Sequence, residues 1–194
     1  MFNENAKAQD AVVAQVARQS GFGDGAKAGG VYKIQCHDKD GNLKWEASDH
    51  NLVVNVGLQD MNTKYFSGSS YTAAWYLGLV TGPGSGTSYS ASDTMSSHAG
   101  WTEDTNYSQS TRPACSFGTA STADPSVITN SGSPATFSIN GTTTIAGAFL
   151  TSNSTKGGTT GTLFSASDFQ SPGDRSVVSG DTLTVTYTFS LDAV

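Results

Sequence analysis

Val31-Tyr32-Lys33-Ile34-Gln35-Cys36-His37 is followed by Asp38-Lys39-Asp40-Gly41-Asn42, and then by Leu43-Lys44-Trp45-Glu46-Ala47. In the first run Tyr32, Ile34 and Cys36 fall on one side of an extended chain, and Lys33, Gln35 and His37 on the other. In the last run Leu43, Trp45 and Ala47 alternate with Lys44 and Glu46. Successive strand side chains point to opposite faces, so this period of two describes strands with one face on a core. Two such runs around an Asp-Gly turn predict a β-hairpin. The acidic turn has a superficial likeness to a calcium loop. An EF-hand, however, needs Gly at its sixth position and a bidentate Glu at its twelfth. Counted from Asp38, Gly41 is fourth and the twelfth residue is Asp49, so a turn is the better reading.

The same alternation returns near the other end of the chain. Leu183, Val185, Tyr187, Phe189 and Leu191 alternate with Thr184, Thr186, Thr188 and Ser190, after a Gly180-Asp181 turn. Ala73 to Val80 is a nearly continuous apolar run bounded by Ser and Gly, as expected of a fully buried strand. Further strands are expected near 108–118, 134–140, 143–151, 161–165 and 174–179. Only one internal helix is expected, over 55–66. There Asn55 can cap, Leu58, Met61 and Tyr65 recur at helical spacing, and Gly68 stops the run. Asp93 to His98 suggests a single helical turn capped by Asp93. Short strands at regular spacing predict an all-β fold, an antiparallel β-sandwich of jelly-roll type, formed by residues 31–194.

Residues 1–30 differ. Ala8, Val12 and Val16 are spaced for one narrow helical face, and Gly21, Gly23, Gly25, Gly29 and Gly30 follow. This predicts an N-terminal arm with a short helix and a Gly-rich linker. An isolated helix of that length is marginal in water, so it needs a surface to dock on. Phe2, Val12, Val13 and Val16 are the candidate interface residues on the arm.

Composition removes several function classes. Ten Lys plus Arg against sixteen Asp plus Glu leave a net charge of -6. Nucleic-acid binding needs a basic stripe to replace phosphate counterions, and an anionic membrane surface needs a polybasic segment; neither is visible. The 27 Ser, 24 Thr and 22 Gly suit pleated surfaces and turns. No basic n-region followed by an apolar stretch marks a secretory signal, so synthesis in a cytoplasm is expected. Cys36 and Cys115 lie in no Cys-x-x-Cys pair, which argues against zinc or a redox motif and leaves a disulfide between them open.

Catalytic constellations are similarly thin. His37, His50 and His98 are scattered, with no metalloprotease spacing. No Gly-x-Ser-x-Gly elbow stands between a strand and a helix, and Gly82-Pro83-Gly84-Ser85-Gly86 lacks the Lys of a phosphate loop. Glu103 and Asp104 beside Trp101 form the one acidic pair with an aromatic platform, as sugar hydrolysis would use. A buried anchor is the commoner role for such a tryptophan. The expectation is a protein without catalytic residues, metal or cofactor.

Three strings carry a resemblance: Ala73-Ala74-Trp75-Tyr76-Leu77-Gly78-Leu79-Val80, Asp93-Thr94-Met95-Ser96-Ser97-His98-Ala99-Gly100-Trp101-Thr102-Glu103 and Gly180-Asp181-Thr182-Leu183-Thr184-Val185-Thr186-Tyr187. Over residues 31–194 the chain resembles small structural proteins of tailed bacteriophages. The resemblance implies a virion component, in first place a capsid decoration or cement protein. Such a protein binds the major capsid protein and copies of itself, as a homo-oligomer on the capsid surface. A neck, tail or fibre-attachment role is the alternative within that class, and a carbohydrate-binding β-sandwich is the alternative outside it.

Overall fold

The computed structural model describes residues 25–68, 71–82, 88–170 and 173–193. Phe2, Val12, Val13 and Val16, with the rest of the expected arm helix, lie outside them. Eleven strands and one helix follow in order: β1 Ala26–His37, β2 Leu43–His50, β3 Leu52–Val53, α1 Asn55–Phe66, β4 Tyr76–Thr81, β5 Thr102–Asp104, β6 Ser126–Thr129, β7 Ala135–Ser138, β8 Thr143–Thr151, β9 Leu163–Asp168, β10 Arg175–Val177 and β11 Thr182–Ala193. They form two antiparallel sheets. One runs β2-β1-β11-β6 with β7 also on β11; the other runs β3-β9-β8-β4-β5 with β10 also on β8. The all-β sandwich with one internal helix is therefore present.

The opening hairpin has the expected register, Ile34 opposite Ala47 and Cys36 opposite Trp45, with a bulge before His37. Its turn is held by Asp38, whose Oδ1 accepts from the backbone N–H of Asp40 at 2.9 Å and of Asn42 at 2.8 Å. Gly41 sits at φ 85°, in the left-handed region that favours glycine. The acidic residues that looked like a calcium loop are thus the components of an Asx turn.

β1 lies between β2 and β11 and pairs with β11 along its whole length, from Ala26–Ala193 to His37–Thr182. Tyr32, Ile34 and Cys36 on β1 and Leu183, Val185 and Tyr187 on β11 are all fully buried. Between the sheets, the Tyr32 hydroxyl lies 2.8 Å from Ser165 Oγ, which donates in turn to the Tyr187 hydroxyl at 3.3 Å. Asn51 Nδ2 donates to that same Tyr187 oxygen at 2.9 Å. A polar group buried without a partner is costly, so this chain lets two tyrosines fill the centre.

Several local expectations need correction. The first strand starts at Ala26, so Gly29 and Gly30 belong to β1 and not to a linker. A Cβ on Gly30 would lie 2.7 Å from the Tyr187 hydroxyl and 2.8 Å from the Thr188 carbonyl oxygen. Close strand approach, not flexibility, explains that glycine. Residues 108–118 make isolated bridges at Thr111 and Ala114 in place of a strand. Pro113 has no N–H to donate there, and Arg112 is drawn inward. Asp93 to His98 forms a tight turn bridged Thr94–Ser97, not a helical turn. The short strands β3, β5 and β6 carry too few residues for a legible period.

The helix spans the expected residues but not with the expected cap or face. Its N-cap is Val54, with no side-chain hydrogen bond, and Asn55 instead donates its backbone N–H to Ala91 at 2.8 Å. Gly57 is buried and Met61 packs on the core, whereas Leu58 and Tyr65 point outward. Gly57 sets the approach. A Cβ there would stand 2.5 Å from the Phe164 carbonyl oxygen and 2.9 Å from its Cα, both backbone atoms that cannot yield. Alanine favours a helix over glycine by about 1 kcal/mol, but overpacking of this kind costs about 1–3 kcal/mol. Gly57→Ala is therefore expected to lower the melting temperature, by roughly 2–4 °C per kcal/mol lost. Gly132→Ala, where a Cβ meets nothing within 4 Å, should leave it unchanged in the same calorimetric scan.

Candidate interaction surface

The acidic pair beside Trp101 is fully engaged in holding the fold. Glu103 receives a bidentate fork from Arg112, Nε to Oε1 at 2.9 Å and Nη2 to Oε2 at 2.7 Å. Arg112 is 1% exposed, and its remaining bonds go to the carbonyls of Asn153 at 2.8 Å and Gly158 at 2.7 Å. The Gly157 N–H adds a further bond to Glu103 Oε2. A guanidinium fork matched to a carboxylate, with neighbouring carbonyls on the other N–H groups, is how a buried charge pair is made tolerable. Asp104, 1% exposed, accepts from Asn106 N and from the Thr143 hydroxyl. These carboxylates clamp the 152–158 loop and the start of β8; their oxygens are committed to that work.

Trp101 anchors the second, smaller core cluster with Met95, Phe149 and Leu163. Its indole N–H donates to Asp93 Oδ2 at 3.0 Å, and that oxygen also accepts from Ser90 N. His98 stacks on the indole at 3.9 Å and points Nδ1 at the Trp101 carbonyl oxygen. The residues of the middle resemblance string thus build a self-bonded plug at one side of the sandwich. Its aromatic ring is not available as a sugar platform.

Cys36 and Cys115 are both free and buried, so the disulfide left open by the sequence is not formed. Burial raises the Cys36 thiol to about 11 and the Cys115 thiol to about 12, which keeps both protonated at neutral pH. Among the described residues no group of three His, Cys, Asp or Glu is placed to hold a metal ion, and no helix is long and apolar enough to cross a membrane.

An open groove of about 450 Å³ is lined by His50, Asn51, Tyr89, Ser167, Asp168 and Gln170, among others. Burial, then Asp174 and Asp49, raise the Asp168 carboxyl above its ordinary value. The groove's one aromatic wall is Tyr89, whose ring leans on Trp101 at 5.9 Å.

Among the described residues, the most exposed large apolar side chains stand at the end of α1. Tyr65 is 83% exposed and Phe66 78%, and their rings meet edge to face at 4.9 Å. Tyr71 stands nearby under the Lys64 ammonium, 4.6 Å from the ring centre, and Leu58 is also exposed. A core-facing helical stripe can hold two adjacent residues, so only their exposure identifies Tyr65 and Phe66 as a ridge. An exposed aromatic pair of this kind is ordinary at protein interfaces and unusual on free surface.

The chain matches no protein-family model, no curated protein and no solved structure. The site's physics therefore rests on its own residues. The clamp offers a direct check. Glu103→Gln leaves the buried Arg112 charge uncompensated, and loss of one partner of such a pair costs about 3–5 kcal/mol. Urea denaturation should show that loss. A change below about 1 kcal/mol, the level of a surface ion pair, would contradict the clamp.

Proposed function

We propose that this protein is a non-enzymatic virion structural protein of a tailed bacteriophage. It acts on the capsid surface as a decoration protein that binds and stabilises the shell of major capsid protein. The observation that carries a binding role is the Tyr65–Phe66 ridge: two large aromatic side chains held out in solvent at the end of α1. The phage placement comes from the three resembling strings, which fall on β4, on the Trp101 plug and on β11.

A small acidic sandwich suits a repeating lattice. Burying one Phe or Tyr contributes only about 1.5–3 kcal/mol, and ordering a backbone costs roughly 1–2 kcal/mol per residue. A single arm or ridge is thus a weak contact. On a shell, neighbouring contacts raise one another's effective concentration, and many weak contacts become a stable coat. Residues 1–24, which precede the sandwich, supply the arm in this reading, with Phe2, Val12, Val13 and Val16 as its contacts. No metal, cofactor, nucleic acid or membrane takes part.

The test is co-sedimentation of the full chain with undecorated capsids of its own phage. Saturable binding is expected, at a fixed ratio to the capsid protein. A chain lacking residues 1–24 should bind at least tenfold more weakly while keeping its strand-dominated circular dichroism. Binding to purified tails and not to capsids would move the protein to the neck or tail. Binding to glycans alone would replace this reading with the carbohydrate module.

A further inference from the structure

The start of β1 and the end of α1 lie at the same end of the sandwich. Gly30 is opposite Phe189, whose ring is 5.4 Å from Phe164, and the Phe164 backbone is what Gly57 of α1 packs against. Going from Tyr32, bonded at Ser165, to Gly30, beside Phe164 through Phe189, moves towards the beginning of β9. The helix runs the same way, since β3 pairs Leu52–Ala166 and Val53–Ser165 before α1 continues past Gly161 and Thr162. Ala26, the first residue of β1, therefore lies at the end where Tyr65 and Phe66 stand out.

That end is also unfinished. Ala28 and Leu191 have the same parity as the inward-facing Tyr32 and Tyr187, yet Leu191 is 38% exposed and Ala28 only half-buried. The inner face of the β1–β11 sheet thus overhangs its core. Charge at this end is mixed: Lys27 is opposite Asp192, and Lys64 lies 4.0 Å from Asp60. A second copy can approach here without the repulsion that two chains of net charge -6 meet elsewhere.

We infer that this end is where two copies of the chain meet about a two-fold axis, the N-terminal segment of each lying over the Tyr65–Phe66 ridge of the other. The inference rests on the self-association in the reading above and names its surface. In the sequence of that segment Ala8, Val12 and Val16 have the spacing of one helical face, and Gly21, Gly23 and Gly25 follow before β1. The start of β1 and the ridge share an end, so a two-fold axis brings each start beside the partner's ridge and makes the contact twice. Four rings at about 150–250 Å² each, with matching area on the two segments, reach the roughly 1,200–2,000 Å² of a standard stable interface.

The experiment is sedimentation velocity of the full chain over a concentration series. It is run beside the full-length double variants Tyr65→Ser with Phe66→Ser, and Val12→Asp with Val16→Asp. The native chain should be a dimer, and both variants should raise its dissociation constant at least tenfold with unchanged circular dichroism. A monomeric native chain, or either variant dimerising as tightly as the native one, overturns the inference. Capsid co-sedimentation of the same samples separates this failure from failure of the functional reading. A monomer that still coats capsids sinks only the pairing. A dimer that dissociates on these variants but never binds capsids keeps the pairing and sinks the capsid role.

Discussion

The structure depends on the pairing of its first strand with its last. Twelve consecutive residues of β1 face twelve of β11, and that ladder carries β2 on one side and β6 and β7 on the other. Joining positions so far apart in sequence has a loop-closure cost that grows only slowly with length. The return is large, because residues of the ladder also meet the second sheet. Tyr32 reaches Ser165, and Phe189 meets Phe164. Removing the ladder would leave neither sheet with a partner for its inner face.

What lies outside that ladder is fixed by polar clamps rather than by more strand. Arg112 gathers Glu103, Asn153 and Gly158, and Lys44 reaches the buried Asp181 at 2.5 Å beside the turn into β11. Asp93 ties Trp101 to Ser90. Each clamp holds an irregular segment whose backbone has few ladder bonds of its own. A chain with this little charge places a good part of it in such positions, which is why its few acidic residues are poor guides to catalysis.

The sequence made the long elements legible and the clamps illegible. Alternation in 31–47 and 182–191 shows the hairpin and β11 because one face is buried and the other wet. Helix 55–66 was legible in extent but not in orientation. Its inward face turns on Gly57, which carries no hydrophobic signal and acts by letting the Phe164 backbone come close. Gly30 misled for the same reason, since a glycine needed for contact looks like one needed for flexibility. Arg112 was invisible: nothing local to Thr111-Arg112-Pro113 announces partners 41 and 46 residues away. The Leu58–Met61–Tyr65 periodicity marks a face of which Met61 alone packs on the core, because Gly57 sets how the helix is turned.

We propose that the end of the sandwich carrying Tyr65 and Phe66 serves association while the β1–β11 ladder stays rigid. Hydrogen–deuterium exchange of the free protein and of the capsid-bound protein tests it most directly. The account predicts that β1 and β11 are the slowest-exchanging segments in both states, with binding adding protection only to residues 1–28 and to the second half of α1. New protection centred on the 38–42 turn at the opposite end, with the helix unchanged, would contradict it.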